Sequence, residues 1–448
     1  MIRNLVYPSL FLCMFSFLGM HAQQVDDSPF SAFGLGNIHS DNLVFYQGFA
    51  GQGASYTDPY HINIQNPASY AFLNRTAFEV GVSARYFEIS DGENRADKWK
   101  GNLDYLALGF PLRNPINASL DPIKRDVKLG MALFLKPHTT VGYNISSTYE
   151  DDNLGLYQKD FEGNGGLYKL MWGNALQYKA VSFGANVGYL FGNINYNESI
   201  DFLDANTALE NMYTIDYNVN GFIWDAGILY NWFINKKEFE SDKSVKTKML
   251  NLGLYGNSAH NFYTLNEVTR RTAAPEGLNV YQDWGADTLQ YASGLRGEGR
   301  LPAEFGIGAT YYHDSKYSIG FNFDYGAWST YKNSVREETL SDSWKLSIGG
   351  TYRPDVKSFN NYFKRVIYKA GVFYQRDPQI IENVQVTDAG LNMGASFPFY
   401  YQRKISHINA AFRFGVRGTG TPLIERYARI SVGFTFNDDE WFIKRKYN

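Results

Sequence analysis

Residues 316–331, KYSIGFNFDYGAWSTY, alternate strictly. Tyr317, Ile319, Phe321, Phe323, Tyr325 and Ala327 take the odd positions, and Ser318, Gly320, Asn322, Asp324 and Gly326 the even ones. A period of two marks a strand with one apolar and one polar face. At about 3.3 Å per residue, Tyr317 and Tyr325 lie roughly 26 Å apart along that strand. With a tilt near 40° this is about 20 Å of height, which suits aromatic girdles at the two edges of a membrane band. Four other stretches repeat the pattern. Trp344, Leu346, Ile348 and Tyr352 oppose Lys345, Ser347, Thr351 and Arg353. Ile408, Phe412, Phe414 and Val416 oppose Asn409, Arg413 and Arg417. Val181, Phe183, Val187, Tyr189 and Phe191 oppose Ser182, Gly184, Asn186 and Gly188, and Ile430, Val432, Phe434 and Phe436 oppose Arg429, Ser431 and Thr435.

Arginines alternating with phenylalanines fit a hydrated lumen inside a lipid-facing wall. Only helices and closed barrels satisfy every backbone group in lipid, and this period is not helical. The reading is therefore an all-β, transmembrane antiparallel β-barrel. Its candidate strands are 77–90, 103–113, 127–149, 167–178, 181–196, 213–233, 248–262, 301–313, 316–331, 343–353, 365–376, 390–402, 406–417 and 427–437. They number about 14, an even count as in bacterial single-chain barrels. The tight connections Lys179-Ala180 and Asp314-Ser315 are expected as periplasmic turns. The longer connections then face outward, the longest being the polar, Gly-rich residues 263–300. Phe323 and Phe414 are expected to face lipid, and Asn322 an open lumen that tolerates Arg.

Composition supports export rather than catalysis. Of the 448 residues 17% are aromatic and 19% charged, the latter below the roughly 25% of soluble proteins. A net charge of −3 offers no basic face to a nucleic acid. Arg3, the apolar run Leu5–Leu18 and Met20-His21-Ala22 read as a signal peptide over residues 1–22. Cys13, the one cysteine, falls inside it, so the rest of the chain has no disulfide and no thiol chemistry. Residues 23–76 do not alternate. They hold SPFSAFGLGNI, GFAGQGASY and INIQNPASYAFL, and suit a compact plug or hatch inside the lumen, broken from the wall at Pro67. The barrel then occupies 77–437 and a periplasmic tail 438–448.

The segment NPASYAFL, with Asn66, Pro67 and Ala68, is similar to the Asn-Pro-Ala motif of the FadL/TodX family of outer-membrane proteins. Residues 301–331 resemble the same family's strand–turn–strand signature through Leu301-Pro302, Gly308, Tyr311, Tyr325, Trp328-Ser329 and Tyr331, and YKAGVFYQRDP (368–378) resembles its following strand. The resemblance implies a 14-stranded barrel of the Gram-negative outer membrane with an N-terminal hatch. It also implies a lateral opening that passes hydrophobic small molecules such as long-chain fatty acids. A kink at Pro137, which cannot donate to a ladder, is the expected gate; the plainer alternative puts Pro137 beyond the membrane. The front SPFSAFGLG and the ending NDDEWFIKRKYN look more like a Bacteroidota branch, whose relatives include subunits of secretion or assembly machinery.

No Gly-x-Ser-x-Gly, P-loop, dinucleotide or metal-binding histidine pattern is present. GLRGEGR (294–300) lacks a following helix, and the carboxylates of ASYTDPYH and NFDYG read as solvated. Neither enzyme nor cofactor is expected. The partners expected are outer-membrane lipids and lipopolysaccharide, with a hydrophobic ligand or an outer-membrane or periplasmic protein. An apolar pocket beside the plug distinguishes a transporter; a lumen without one, with an extended tail, distinguishes a complex subunit. Trp441, Phe442 and Lys444-Arg445-Lys446 suit either an interfacial anchor or a docking strip.

Overall fold

The computed structural model describes residues 28–112, 126–153, 155–204, 208–273, 287–401 and 404–438. The signal-peptide reading and the tail beyond Asp438 lie outside them. In chain order the strands are β1 (Asn37–Ile38), β2 (Thr76–Ser90), β3 (Arg95–Pro111), β4 (Val127–Asp151), β5 (Gly155–Tyr178), β6 (Val181–Phe202), β7 (Glu210–Phe233), β8 (Lys248–Asn257) and β9 (His260–Ala273). They continue with β10 (Thr288–Leu301), β11 (Glu304–His313), β12 (Tyr317–Gly326), β13 (Lys332–Asn333), β14 (Ser343–Tyr352), β15 (Ile367–Ile381), β16 (Val384–Tyr401), β17 (Lys404–Arg417) and β18 (Ile424–Asp438).

All 18 join one sheet. Fourteen close a ring, antiparallel throughout: β2 to β8 in order, β8 to β11, β11 to β12, then β14 to β18, with β12 on β14 and β18 back on β2. The remaining four, β1, β9, β10 and β13, stand outside the ring. The alternation therefore located every wall strand.

Outward faces carry the apolar rows. On β5, Tyr168, Leu170, Trp172, Leu176 and Tyr178 are exposed, while Leu167, Met171 and Ala175 are buried. Tyr168 and Tyr178 bound this row at its two ends. On β6 the same places fall to Phe183, Val187, Tyr189 and Phe191. Phe414 is exposed on β17, and Phe321 and Ile319 flank the half-buried Phe323 on β12. Above their aromatic ends β4 to β7 run on, and the upper half of β7 pairs with β9 instead of β8.

Three expectations change. Residues 263–300 are not one loop, because β9 and β10 continue the lines of β8 and β11 as a paired extension. Pro302, with no N–H to give, marks the break between β10 and β11. Tight turns also occur at both ends of the barrel: Glu382 and Asn383, opposite the termini, both have positive φ (48° and 64°), the geometry of a two-residue hairpin. Residues 234–247, on the terminal side, are long and include a helical turn, Lys236–Ser241. Turn length follows local turn chemistry rather than the side of the barrel. Third, Asn322 does not face open water. It is 0% exposed and its Nδ2 donates to the Gly51 carbonyl at 3.1 Å.

Gly51 belongs to residues 28–75, which occupy the lumen. Phe30, Val44, Phe45, Tyr46, Phe49 and Tyr70 are buried there against the inner wall. Glycines on that wall permit the approach. A β-carbon at Gly130 would overlap the Tyr70 carbonyl, and one at Gly253 the Ala54 carbonyl. Glycine at these wall positions leaves the room that the lumen segment occupies.

Phe414→Arg places a charge in the outward row and should cost about 2–4 kcal/mol at mid-membrane, seen as a reduced heat-modifiable folded fraction on electrophoresis. Asn322→Arg should now reduce that fraction too, because it displaces the lumen segment. Equal assembly of both variants and the parent chain contradicts this packing.

Candidate functional site

The lumen segment is fastened at two places. The first is the Asn66-Pro67-Ala68 motif, at the start of a 3₁₀ turn, Pro67–Phe72. Pro67 fits a first helical position because its missing N–H would be unpaired there anyway. Asn66 Oδ1 accepts from Ala68 N at 3.1 Å. Its Nδ2 donates to the carbonyl of Ala54 at 2.7 Å, and to those of Ile228 on β7 and Leu254 on β8 at 3.3 and 3.4 Å. Ser182 Oγ donates to the Ala68 carbonyl at 2.6 Å, and Tyr70 Oη to Asn186 Oδ1 at 3.0 Å. The turn is thereby stitched to β6, β7 and β8.

The second place is a break in the wall. β3 and β4 pair only from Leu106↔Leu135 to Pro111↔Gly130. Above that level β3 pairs with β2 alone, and the β4–β5 register shifts between Pro137 and Thr139. Pro137 lies opposite Tyr168, at the far edge of the outward apolar row. At Pro137 the pairing of β4 with β5 continues past a one-residue shift, while its pairing with β3 has already stopped at Leu135.

Beside the break, β1 takes over pairing with β4. Asn37 stands opposite Thr140 and Ile38 opposite Thr139, and His39 N donates to the His138 carbonyl at 2.9 Å. Ile38 is exposed and Asn37 buried. An ionic latch secures this contact. Lys136 and Lys169 stand directly opposite one another on β4 and β5, an arrangement that like charges disfavour. Asp41 resolves it, with Oδ1 2.7 Å from Lys136 Nζ and Oδ2 2.6 Å from Lys169 Nζ. Lys136 Nζ also donates to the Ser40 carbonyl at 2.9 Å. Burial works against the Asp41 charge, but the two ammonium groups more than reverse it and hold the carboxyl well below its usual range. A carboxyl depressed in this way stabilises the fold above its unfolded value of about 3.9, and that contribution goes only as pH falls through the depressed value.

A cavity of about 300 Å³ lies over the lumen segment. Its lining mixes charged residues, among them Arg85, Lys345, Asp388, Arg413 and Arg429, with the rings of Phe305, Trp328, Trp344 and Tyr427 and with Ile38 and Pro378. Of the other residues singled out by sequence, Trp328 is buried and borders this cavity with Tyr325, whose Oη donates to Asp342 Oδ2 at 2.6 Å. Pro302 and Gly308 do not line it, so the signature residues form no single site. Asp58, read as solvated, instead accepts from the backbone N of Tyr60 and His61 and lies 2.9 Å from His61 Nδ1. Asp324 accepts from Tyr255 Oη at 2.7 Å. Among the described residues no cluster has metal-ligand geometry. The Asp41 latch had no periodic signal in the sequence; its partners come from strands about 95 and 130 residues away.

The β1–β4 contact is testable by cross-linking. Paired Cα atoms on antiparallel strands lie about 4.5–5.5 Å apart, within reach of a disulfide. I38C/T139C should oxidise to one intramolecular link, read by peptide mass spectrometry. D41N leaves Lys136 and Lys169 buried side by side and should raise protease cleavage within 28–75 at least several-fold. Asp41 itself remains ionised between pH 8 and pH 5 and adds no pH dependence of its own to that cleavage. Equal cleavage of D41N and the parent contradicts the latch.

The fold is that of known outer-membrane channels. A FadL homologue of Pseudomonas aeruginosa matches with a TM-score of 0.57 at 13% identity, over 90% of this chain and 99% of that one. The monoaromatic hydrocarbon channel CymD matches at 0.52 and 13%, over 91% and 99%. A deltaS2S3 mutant of the monoaromatic hydrocarbon channel TodX matches at 0.51 and 14%, over 88% and 98%. At such identities the likeness is one of fold. No curated protein matches the sequence. The family model described as BamG matches residues 1–448, and a barrel wall, lumen segment and ordered seam that all fall within this match identify the chain as a member of the BamG family.

Proposed function

We propose that this chain is a non-catalytic barrel of the Gram-negative outer membrane that serves as a subunit of a larger secretion or assembly complex. The observation that carries this reading is the chemistry of the lumen. Sites for small hydrophobic ligands are concave and mostly apolar. Here the cavity over the lumen segment sets guanidinium, ammonium and carboxylate groups among the aromatic rings of Phe305, Trp328, Trp344 and Tyr427. An apolar molecule seated there meets those rings but leaves the neighbouring charges desolvated. The strands that run on past the aromatic row also give the barrel a broad sheet beyond it, on β4 to β7 with β9 and β10, where Leu265, Leu289 and Tyr291 are exposed among polar residues. Such a sheet suits protein contact. The outward rows would meet outer-membrane lipid and lipopolysaccharide, and the tail would dock a partner through Trp441.

A second reading rests on a separate observation. The opening between β3 and β4 at Pro137 favours lateral passage of a hydrophobic small molecule, with β1 as its bar. It supports the transporter implied by the fold, with the aromatic lining residues as the apolar part of the cavity such cargo would meet.

Mild-detergent extraction of the full chain, with mass spectrometry of co-purifying proteins and lipids, separates the two. The subunit reading expects outer-membrane proteins in near-stoichiometric amount and no enrichment of long-chain fatty acids. A solitary barrel carrying a hydrophobic ligand overturns it in favour of the second reading. Removal of residues 440–448 should leave a folded barrel that retains less of its protein partner.

A further inference from the structure

Strand register assembles a row of cations on the lumen wall. Arg413 on β17 stands opposite Arg429 on β18, Arg429 opposite Arg85 on β2, and Arg85 opposite Lys100 on β3. Adjacent strands are about 4.8 Å apart, and like charges directly opposed are unfavourable. Carboxylates offset part of this from within the wall. Arg413 Nη2 donates to Asp388 Oδ2 at 2.8 Å, Arg429 Nη2 to both Asp104 oxygens at 2.8 Å, and Arg85 pairs with Glu425. Asp104 and Glu425 do not line the cavity, whereas Arg85, Arg413 and Arg429 do. Asp388 lines the cavity beside Arg413, so the cavity meets the cationic side alone in two of the three pairs.

Two further observations point to an absent acceptor. The Nε–H groups of Arg413 and Arg429 are buried with no hydrogen-bond partner, a state that native proteins rarely leave uncompensated. Lys345 on β14 stands opposite Asp324 on β12, which accepts instead from Tyr255 Oη, and its ammonium lies 5.7 Å from the Phe373 ring. Lys345, Arg413 and Arg429 are also the three charged residues shared by the main cavity and a recess of about 20 Å³ beneath it, beside Ser40 and Asn42. Strands three apart in the wall thus bring their cationic ends to one place across the inner curve of the barrel.

We propose that Lys345, Arg413 and Arg429 form a binding site for a phosphate-class oxyanion, either free or as a lipid headgroup. A tetrahedral oxyanion offers acceptors in several directions at once, which suits donors arriving from β14, β17 and β18. Guanidinium forks match its geometry, and the ammonium supplies a point charge. His39, Asn102 and His138, near the wall break, line the same cavity, so a headgroup at the break lies close to the site. The site does not depend on either reading of the barrel's overall role.

The test is calorimetric titration of the full chain in detergent with inorganic phosphate, beside native mass spectrometry after incubation with phosphatidylglycerol vesicles. K345Q removes the cation opposite Asp324 but leaves that carboxylate its hydrogen bond from Tyr255 Oη; R413Q is the second variant, and heat-modifiable migration verifies that each is folded. Saturable phosphate binding, competed by sulfate and weakened tenfold or more in K345Q, establishes a free-oxyanion site. Retention of phosphatidylglycerol by the parent but not by K345Q, with no response to phosphate, assigns the headgroup. A parent chain that binds neither overturns the proposal, as does binding that sulfate leaves unaffected and that is equal in the parent and both folded variants.

Discussion

A wall standing in lipid has no water to satisfy its N–H and C=O groups, so every strand must find a neighbour on both sides. Closure of β18 onto β2 follows from that requirement. Fifteen paired positions, from Ile424↔Ser90 to Asp438↔Thr76, make this joint as continuous as any hairpin in the ring. The same requirement explains where the wall may open. β3 and β4 separate only above Leu106 and Leu135, near the edge of the outward apolar row, where unpaired backbone is less costly. Even there β1 supplies part of the missing pairing. The lumen segment is therefore both filler and a small piece of wall.

Its attachment uses groups that would be liabilities without it. Lys136 and Lys169 face one another across adjacent strands, and Asn322, Ser182 and Asn186 point into a space that the segment makes dry. Each finds its complement on residues 40–70: a carboxylate, a carbonyl or a phenol. Removing one member of a buried ion pair typically costs about 3–5 kcal/mol, because the survivor stays buried and uncompensated. The contacts thus specify one seating of the segment. What remains of the lumen is a chamber lined by both charged and aromatic side chains.

The legible and illegible parts of the sequence divide along a physical line. Side chains on a strand alternate by local backbone geometry alone, so Ile319, Phe321 and Phe323 announce both a strand and its lipid face. Asn66-Pro67-Ala68 announces a turn for an equally local reason, and the turn is there. Strand limits near Pro302 and Gly326 were less legible, because β8 and β11 are continued by β9 and β10 on a different pairing partner.

The sequence by itself determined fourteen wall strands, their two faces, and a segment before them that does not alternate. These depend on interactions between residues two to ten apart. Only the tertiary structure decided that Asp41 lies between Lys136 and Lys169, that Asn66 reaches carbonyls on β7 and β8, and that Arg413, Arg429, Arg85 and Lys100 fall into one row. Those meetings are set by strand register and ring closure, which bring together residues tens to hundreds of positions apart; no local period encodes them.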